Sequence, residues 1–160
     1  MRVPPAKTKM QTTQKRIAIK KLMITTAIIC SSIVVILTVL NALFQSDLSR
    51  AQMSEAVSLL DGAKRPFSEY FSDRHRWPDT AQQVLGNTSG KYTDSIAITS
   101  GAGAASGILT ITATMKTTEV DSRIAGKTVQ ISTEDGFTWT CRAGNTNGVI
   151  KNSLPASCRP

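Results

Sequence analysis

The stretch LMITTAIICSSIVVILTVLNALF, residues 22–44, runs for 23 residues without a charged side chain. An α-helix rises about 1.5 Å per residue, so about 20 apolar residues cross the roughly 30 Å hydrocarbon core of a bilayer. The stretch therefore predicts a retained transmembrane helix. A buried core helix is one alternative, against which the length and the charged flank argue. A cleaved secretory signal is another, but its apolar part is typically about 7–15 residues long.

The residues before this stretch carry the charge excess of the chain. Of the 19 lysines and arginines, seven lie in residues 1–21, where there is no acidic residue. The remainder has 12 basic and 11 acidic residues, so the net charge of +8 does not indicate a basic nucleic-acid-binding domain. Basic residues flanking a membrane helix stay on the cytoplasmic side. We therefore expect a cytoplasmic arm over residues 1–21 and an extracytoplasmic domain over residues 45–160.

Helical spacing of apolar residues continues beyond the apolar stretch, from Gln45 to Phe71. Such spacing predicts an amphipathic helix with one face available for packing. The predicted packing stripe consists of Leu48, Ala56, Leu59, Ala63 and Phe67. Gly62 and Pro66 interrupt this pattern, and proline removes a helix hydrogen bond, so we expect a kink or a restart there.

Four later segments have the composition or the alternation of short strands. They are YTDSIAIT (92–99), ILTITATM (108–115), KTVQIST (127–133) and FTWTC (137–141). SGAGAASG (100–107) predicts a hairpin loop, and Glu134-Asp135-Gly136 a short turn. Strands of this kind have one face to bury, here Ile96, Ile98, Leu109, Ile111, Val129, Ile131 and Trp139. The predicted fold class is therefore α+β, with the long helix laid across a four-stranded antiparallel sheet.

The chain has three cysteines. Cys30 lies in the apolar stretch, where we interpret it as a small packing residue. Cys141 and Cys158 lie in the outer domain and predict a disulfide in an oxidising compartment. Closing a loop of that size contributes about 3 kcal/mol to stability. Metal binding is the alternative, but it lacks a nearby histidine.

No catalytic constellation is apparent in the sequence. His75, the one histidine, lies between two arginines in a charged run that predicts a solvated turn. Glu134 and Asp135 lie in the predicted turn, where polar residues are expected in any case. GAGAASG precedes a strand pattern and not a helix, so it does not fit a phosphate loop. We therefore expect neither an enzyme nor a cofactor or metal site.

Several local stretches resemble type IV pilins. They are LMITTAII (22–29), RAQMSEAVSLLDGAKRPFSEYF (50–71), RWPD (76–79), FTWTC (137–141) and SLPASC (153–158). The resemblance implies the pilin αβ-roll with a disulfide-closed C-terminal loop, and a structural subunit of a surface filament used in adhesion. It also implies a bacterial inner-membrane location with the folded domain in the periplasm. The implied partners are membrane lipid and other pilin subunits, which pack through the N-terminal helix.

Two positions depart from the family pattern. Type IV pilins carry glycine before the processing site and glutamate a few residues into the mature helix, but here the first glycine is Gly62 and the first glutamate Glu55. Aligning LMITTAII places Arg16 at the glycine position and Lys21 at the glutamate position. Aligning the RAQMSEA run instead implies a four-residue difference within the membrane helix and also supplies neither residue. The resemblance then implies poor processing by a peptidase that requires glycine.

Three functional hypotheses follow. The first is a pilus subunit. The second, favoured by Arg16 and Lys21, is an unprocessed, membrane-resident pilin-like accessory protein of a pilus or type II secretion machine. The third is a DNA-uptake receptor, which requires a basic stripe on the outer domain. The basic residues available toward the C-terminus are Lys127, Arg142, Lys151 and Arg159, and four scattered charges favour nucleic acid weakly.

Overall fold

The computed structural model describes residues 6–159, and their side chains except those of residues 6–15, 17–18 and 45–46. The chain forms two compact units, Met1–Leu43 and Phe44–Pro160. Helix α1 runs from Ala6 to Arg74 and contributes to both units.

The first unit consists of helix in its described part. Every residue from Ile19 to Leu43 is exposed. The few hydroxyl groups in this apolar segment bond to helix carbonyls: Thr25 Oγ1 donates to Leu22 O at 2.9 Å, and Thr38 Oγ1 to Val35 O at 2.8 Å. Such bonds satisfy the polar side chains without water, as an apolar surrounding requires.

Helix α1 continues without a break through Gly62 and Pro66, so the expected restart is wrong. Pro66 removes one backbone donor, but the residues on both sides are held by tertiary packing. Ala63 and Phe67 are fully buried against the sheet. Burial of that helix face outweighs the local preference to break the helix, because most helical stability in proteins comes from such packing.

The second unit contains the predicted four-stranded antiparallel sheet, and its strands lie in the order β1-β2-β3-β4. The strands are β1 (Thr93–Ser100), β2 (Leu109–Met115), β3 (Thr128–Thr133) and β4 (Thr140–Ala143). Short 3-10 turns lie at Ala81–Gln83, Lys151–Ser153 and Ala156–Cys158.

The last strand begins at Thr140, three residues later than the sequence suggests. Asp135 Oδ1 accepts the backbone N–H groups of Phe137 at 2.8 Å and Thr138 at 2.7 Å. These two groups are therefore committed to the turn and are not available for a β-ladder. The strand starts later than predicted because the Asp135 side chain competes with backbone carbonyl groups as the acceptor for these N–H groups.

The core lies between the sheet and the part of α1 within the second unit. Ile111 of β2 pairs with Ile131 of β3, and this register places one row of apolar side chains on the inner face of the sheet. Of the expected inner-face residues, Ile98 and Trp139 are half-buried and the other five are buried. Trp77 is fully buried and stacks on Phe71 with 4.0 Å between ring centroids.

Candidate functional site: the exposed apolar helix and the helix clamp

The exposed apolar segment, residues 22–44, is the first candidate interaction surface. It belongs to a helix that is long and apolar enough to cross a membrane, and none of its most apolar window is buried within the chain. Soluble monomers rarely expose contiguous apolar surface of this extent. The segment therefore needs a covering of lipid or of other apolar helices.

Arg16 and Lys21 lie on α1 just before this segment, and both are exposed. Lys21 directly precedes Leu22, where the uncharged stretch begins. A cation is thus presented at the edge of the apolar surface. A positive charge is tolerated where a helix leaves the hydrocarbon, but it is costly inside it.

The predicted packing stripe faces the chain's own sheet over most of its length. Ala56, Ala63 and Phe67 are fully buried, and Leu59 is partly buried against the same core. Leu48 differs, since its side chain is 50% exposed. The stripe therefore holds the second unit together, and Leu48 alone of the five residues is left as exposed surface.

Four polar residues of α1, Ser49, Arg50, Gln52 and Glu55, form what we call the helix clamp. The carboxylate of Glu55 accepts the backbone N–H groups of Tyr92 at 2.8 Å and Thr93 at 3.0 Å, fixing the start of β1. The approach is close, because a Cβ on Gly90 would lie 2.3 Å from Glu55 Oε1. Glycine at this position allows the carboxylate to reach the backbone.

The other clamp residues hold two more distant segments. Gln52 Oε1 accepts the backbone N–H of Asp121 at 2.8 Å, in the connection between β2 and β3. Arg50 Nη2 donates to the carbonyl of Asn152 at 3.1 Å, and the Ser49 and Ser153 hydroxyls lie 3.1 Å apart in a buried position. About two turns of helix therefore bind three separate segments of the sheet-containing part of the second unit, which we call the β-domain.

Sequence reasoning missed the clamp. Helical periodicity separates apolar from polar positions, but it does not reveal which polar side chains have buried partners. The available signal was the RAQMSEA run, residues 50–56, which carried the pilin resemblance. In the structure, Arg50, Gln52 and Glu55 of that run make the backbone contacts.

The C-terminal loop is closed by a disulfide between Cys141 and Cys158, whose Cα atoms lie 4.6 Å apart. Val149 and Leu154 inside the loop are buried, and Arg159 Nε donates to the carbonyl of Leu154 at 2.8 Å. The loop is thus packed as well as covalently closed. Cys30 is an exposed free thiol on the apolar segment.

No cluster of three metal-ligating side chains occurs among the described residues. Of the four C-terminal basic residues, Lys127 donates to Asn147 Oδ1 at 2.7 Å and Arg159 to the loop carbonyl of Leu154. Arg142 is exposed. These contacts assign two of the four cations to local structure and lend no support to a DNA-binding stripe.

An exposed apolar helix that continues into an α+β domain with a disulfide-closed loop is the arrangement that the resemblance to type IV pilins implies. A family model for pilin, described as a bacterial filament, matches residues 49–159. Fimbrial protein EcpC of Eikenella corrodens is 36% identical, with 91% of each chain covered. A fimbrial protein of Neisseria meningitidis is 32% identical, with 94% of this chain and 96% of the relative covered. The type IV major pilin protein PilE of Neisseria gonorrhoeae is 28% identical over the same shares.

This chain belongs to the pilin family. The matched region begins at Ser49, the first residue of the helix clamp, and includes the sheet and the disulfide loop. The relatives extend the likeness to most of the chain, and their names support a type IV pilin-like protein.

Proposed function

We propose that this protein is a structural subunit of a type IV pilus. One observation carries the proposal: residues 22–44 are uncharged and exposed along their whole length, on a helix that continues into a packed pilin domain. In the filament, this segment packs against the same segment of other subunits, which removes its apolar surface from water. The relatives named as fimbrial and major pilin proteins support the same role.

The same segment anchors the protein in the bacterial inner membrane before assembly. Under the rule that basic flanks stay on the cytoplasmic side, we propose that residues 1–21 lie in the cytoplasm and residues 45–160 in the periplasm. The disulfide supports this topology, because structural disulfides persist in oxidising compartments.

Expression in a bacterium whose own major pilin gene is deleted tests the subunit role. We expect surface filaments by electron microscopy, and this chain as their main component after shearing and mass spectrometry. The matched control is the double variant Val34→Arg, Leu37→Arg, which places charge in the apolar segment and abolishes filaments. Absence of filaments from cells that accumulate the unaltered chain in their membranes would contradict the role.

A second candidate is an unprocessed, membrane-resident accessory protein of a pilus or secretion machine. Arg16 and Lys21 favour it, because alignment of LMITTAII puts them at the glycine and glutamate positions of the type IV pilin pattern. Both are exposed on the helix. Within an apolar helix bundle, Lys21 introduces an unpaired positive charge. This arrangement favours retention of the chain in the membrane over entry into a filament.

Intact-mass measurement of the membrane fraction distinguishes the two candidates. The accessory role predicts that residues 1–16 stay attached, and that Arg16→Gly permits their removal by a prepilin peptidase. Adding Lys21→Glu then promotes entry into filaments. Removal of the arm from the unaltered chain would exclude the accessory role and leave the pilus subunit.

A further inference from the structure

A polar groove lies on the outer face of the sheet, the face turned away from the core. Residues alternate along β2 and β3, so that Thr110, Thr112, Thr114 and Gln130 point outward while their neighbours pack inward. Together with Thr99 of β1 they line a cavity of about 360 Å³, which we call the hydroxyl groove. This volume lies within the range of about 300–1,000 Å³ in which small-molecule sites fall.

One wall of the hydroxyl groove is a tightly packed loop, residues 144–148. The backbone N–H of Thr128 donates to Asn147 O at 3.1 Å. A Cβ on Gly144 would lie 2.0 Å from Thr128 Oγ1, so glycine is required for this approach. The wall is therefore fixed by backbone contacts and gives the groove a defined shape.

Gln130 is the polar residue at the base of this wall, and its side chain is 1% exposed. Its Oε1 accepts the backbone N–H of Asn145 at 2.8 Å, which fixes the orientation of the carboxamide. Its Nε2 is buried and has no hydrogen-bond partner among the described residues. A buried donor without a partner is unfavourable, so the groove offers a donor that an incoming acceptor would satisfy.

The chemistry of the lining is uniform. Hydroxyl and carboxamide groups line the groove, and none of its described lining residues is ionisable. The Thr99 and Thr112 hydroxyls lie 2.8 Å apart, so one of them already donates to the other. Two cations lie beside the groove, since Lys127 Nζ donates to Asn147 Oδ1 at 2.7 Å and Arg142 of β4 pairs with Gln130. The lining itself offers no ionised group to replace the hydration of a charged ligand, and an apolar ligand would leave the lining groups unpaired.

We propose that the hydroxyl groove binds a neutral saccharide, whose hydroxyl groups both donate and accept. A ring oxygen or hydroxyl of the sugar accepts from Gln130 Nε2, and the threonine hydroxyls bond to the remaining groups. This site goes beyond the structural role in a filament, since it assigns ligand binding to the outer face of the sheet. It does not depend on assembly.

Saturation-transfer NMR with the full chain in detergent micelles tests the proposal. The probes are galactose, glucose and N-acetylglucosamine, with glucose 6-phosphate as the charged counterpart. We expect transfer to at least one neutral sugar at millimolar concentration and weaker transfer to the phosphorylated sugar. Absence of transfer to all three neutral sugars would overturn the proposal, and so would preferential binding of the phosphorylated sugar.

Two variants locate the binding site. Thr114→Val removes one hydroxyl at constant shape from a partly exposed position, and Gln130→Glu keeps an acceptor for Asn145 while removing the amide donor. Each should weaken binding about threefold to tenfold, as expected for one lost hydrogen bond. Thr140→Val, on the same face but outside the groove, is the matched control and should bind normally. Equal binding by Thr114→Val, Thr140→Val and the unaltered chain would place the sugar elsewhere and refute the site.

Discussion

Residues 22–44 and residues 49–67 belong to the same helix but interact with their surroundings in different ways. The first segment is uncharged and exposed throughout, whereas the second buries one face and uses polar side chains to bind the β-domain. The difference shows that an uncharged apolar run is enough to determine whether a helix needs an apolar environment. A packed domain additionally requires an amphipathic pattern with polar groups at the correct positions.

Charge in the middle of the first segment should produce the largest effect. The double variant Val34→Arg, Leu37→Arg adds two charges, each costing about 2.5–3.5 kcal/mol at the centre of a membrane helix. We expect the chain to disappear from the carbonate-resistant membrane fraction. Leu48→Arg, which adds a charge at a half-exposed position outside the segment, is the control and should remain in the membrane. Loss of both proteins from the membrane would contradict the assigned boundary.

Truncation of the buried face of the second segment should have the next largest effect. Phe67→Ala removes a fully buried ring and should lower the free energy of unfolding by about 3–5 kcal/mol. Urea denaturation of the full chain in detergent, followed by tryptophan fluorescence, measures this loss. Phe137→Ala is the matched control, since Phe137 is 79% exposed, and it should change stability by about 0.5 kcal/mol or less.

Reduction of the disulfide should destabilise the β-domain and leave the apolar segment in the membrane. Cys141 and Cys158 are 17 residues apart, and a loop of this size corresponds to about 3 kcal/mol. We expect a lower thermal midpoint with reductant, measured in a Cys30→Ser background. Equal midpoints would show that packing of the C-terminal loop suffices without the covalent link.

The helix clamp predicts a smaller but specific effect. Glu55→Ala leaves the Tyr92 and Thr93 N–H groups without their acceptor and should cost about 2 kcal/mol, as for hydrogen bonds to a charged group. Glu69→Ala is the control, because Glu69 forms an exposed ion pair with Arg65, and such surface pairs contribute little to stability. If both variants lost the same free energy of unfolding in urea denaturation, the clamp contacts would contribute no more than an exposed ion pair.

The smallest effect concerns the turn before β4. Hydrogen bonds from the backbone N–H groups of Thr138 and Phe137 hold the pKa of Asp135 well below its usual range. A lowered pKa in the folded state stabilises the fold above the ordinary carboxyl pKa of about 3.9, and this stabilisation is lost as the pH falls toward the folded pKa. Asp135→Asn should therefore be less stable than the unaltered chain at pH 7, with a smaller difference at pH 3.

Thermal midpoints at the two pH values measure this difference. Glu134→Gln removes the neighbouring charge without altering these hydrogen bonds and serves as the control. A difference between Asp135→Asn and the unaltered chain that persists unchanged at pH 3 would contradict the assigned cause.

The order of the elements, the antiparallel sheet with its first and last hairpins, and the disulfide could be predicted from the sequence. Each depends on a local signal: an uncharged run, period-two alternation, or two cysteines in one domain. The continuous helix at Pro66 could not be predicted, because burial of Ala63 and Phe67 decides it. The late start of β4 was also missed, since it depends on which acceptor binds two backbone N–H groups.

From the sequence one can read that a long helix with an apolar first half precedes an antiparallel sheet. This is possible because helix and strand periodicities, and the length of an uncharged run, are properties of neighbouring residues. Tertiary structure alone decided that Gln52, Glu55 and Gln130 are partly or fully buried groups with backbone partners. Those partners lie 15 to 69 residues away along the chain, and no local pattern encodes a hydrogen bond across such a separation.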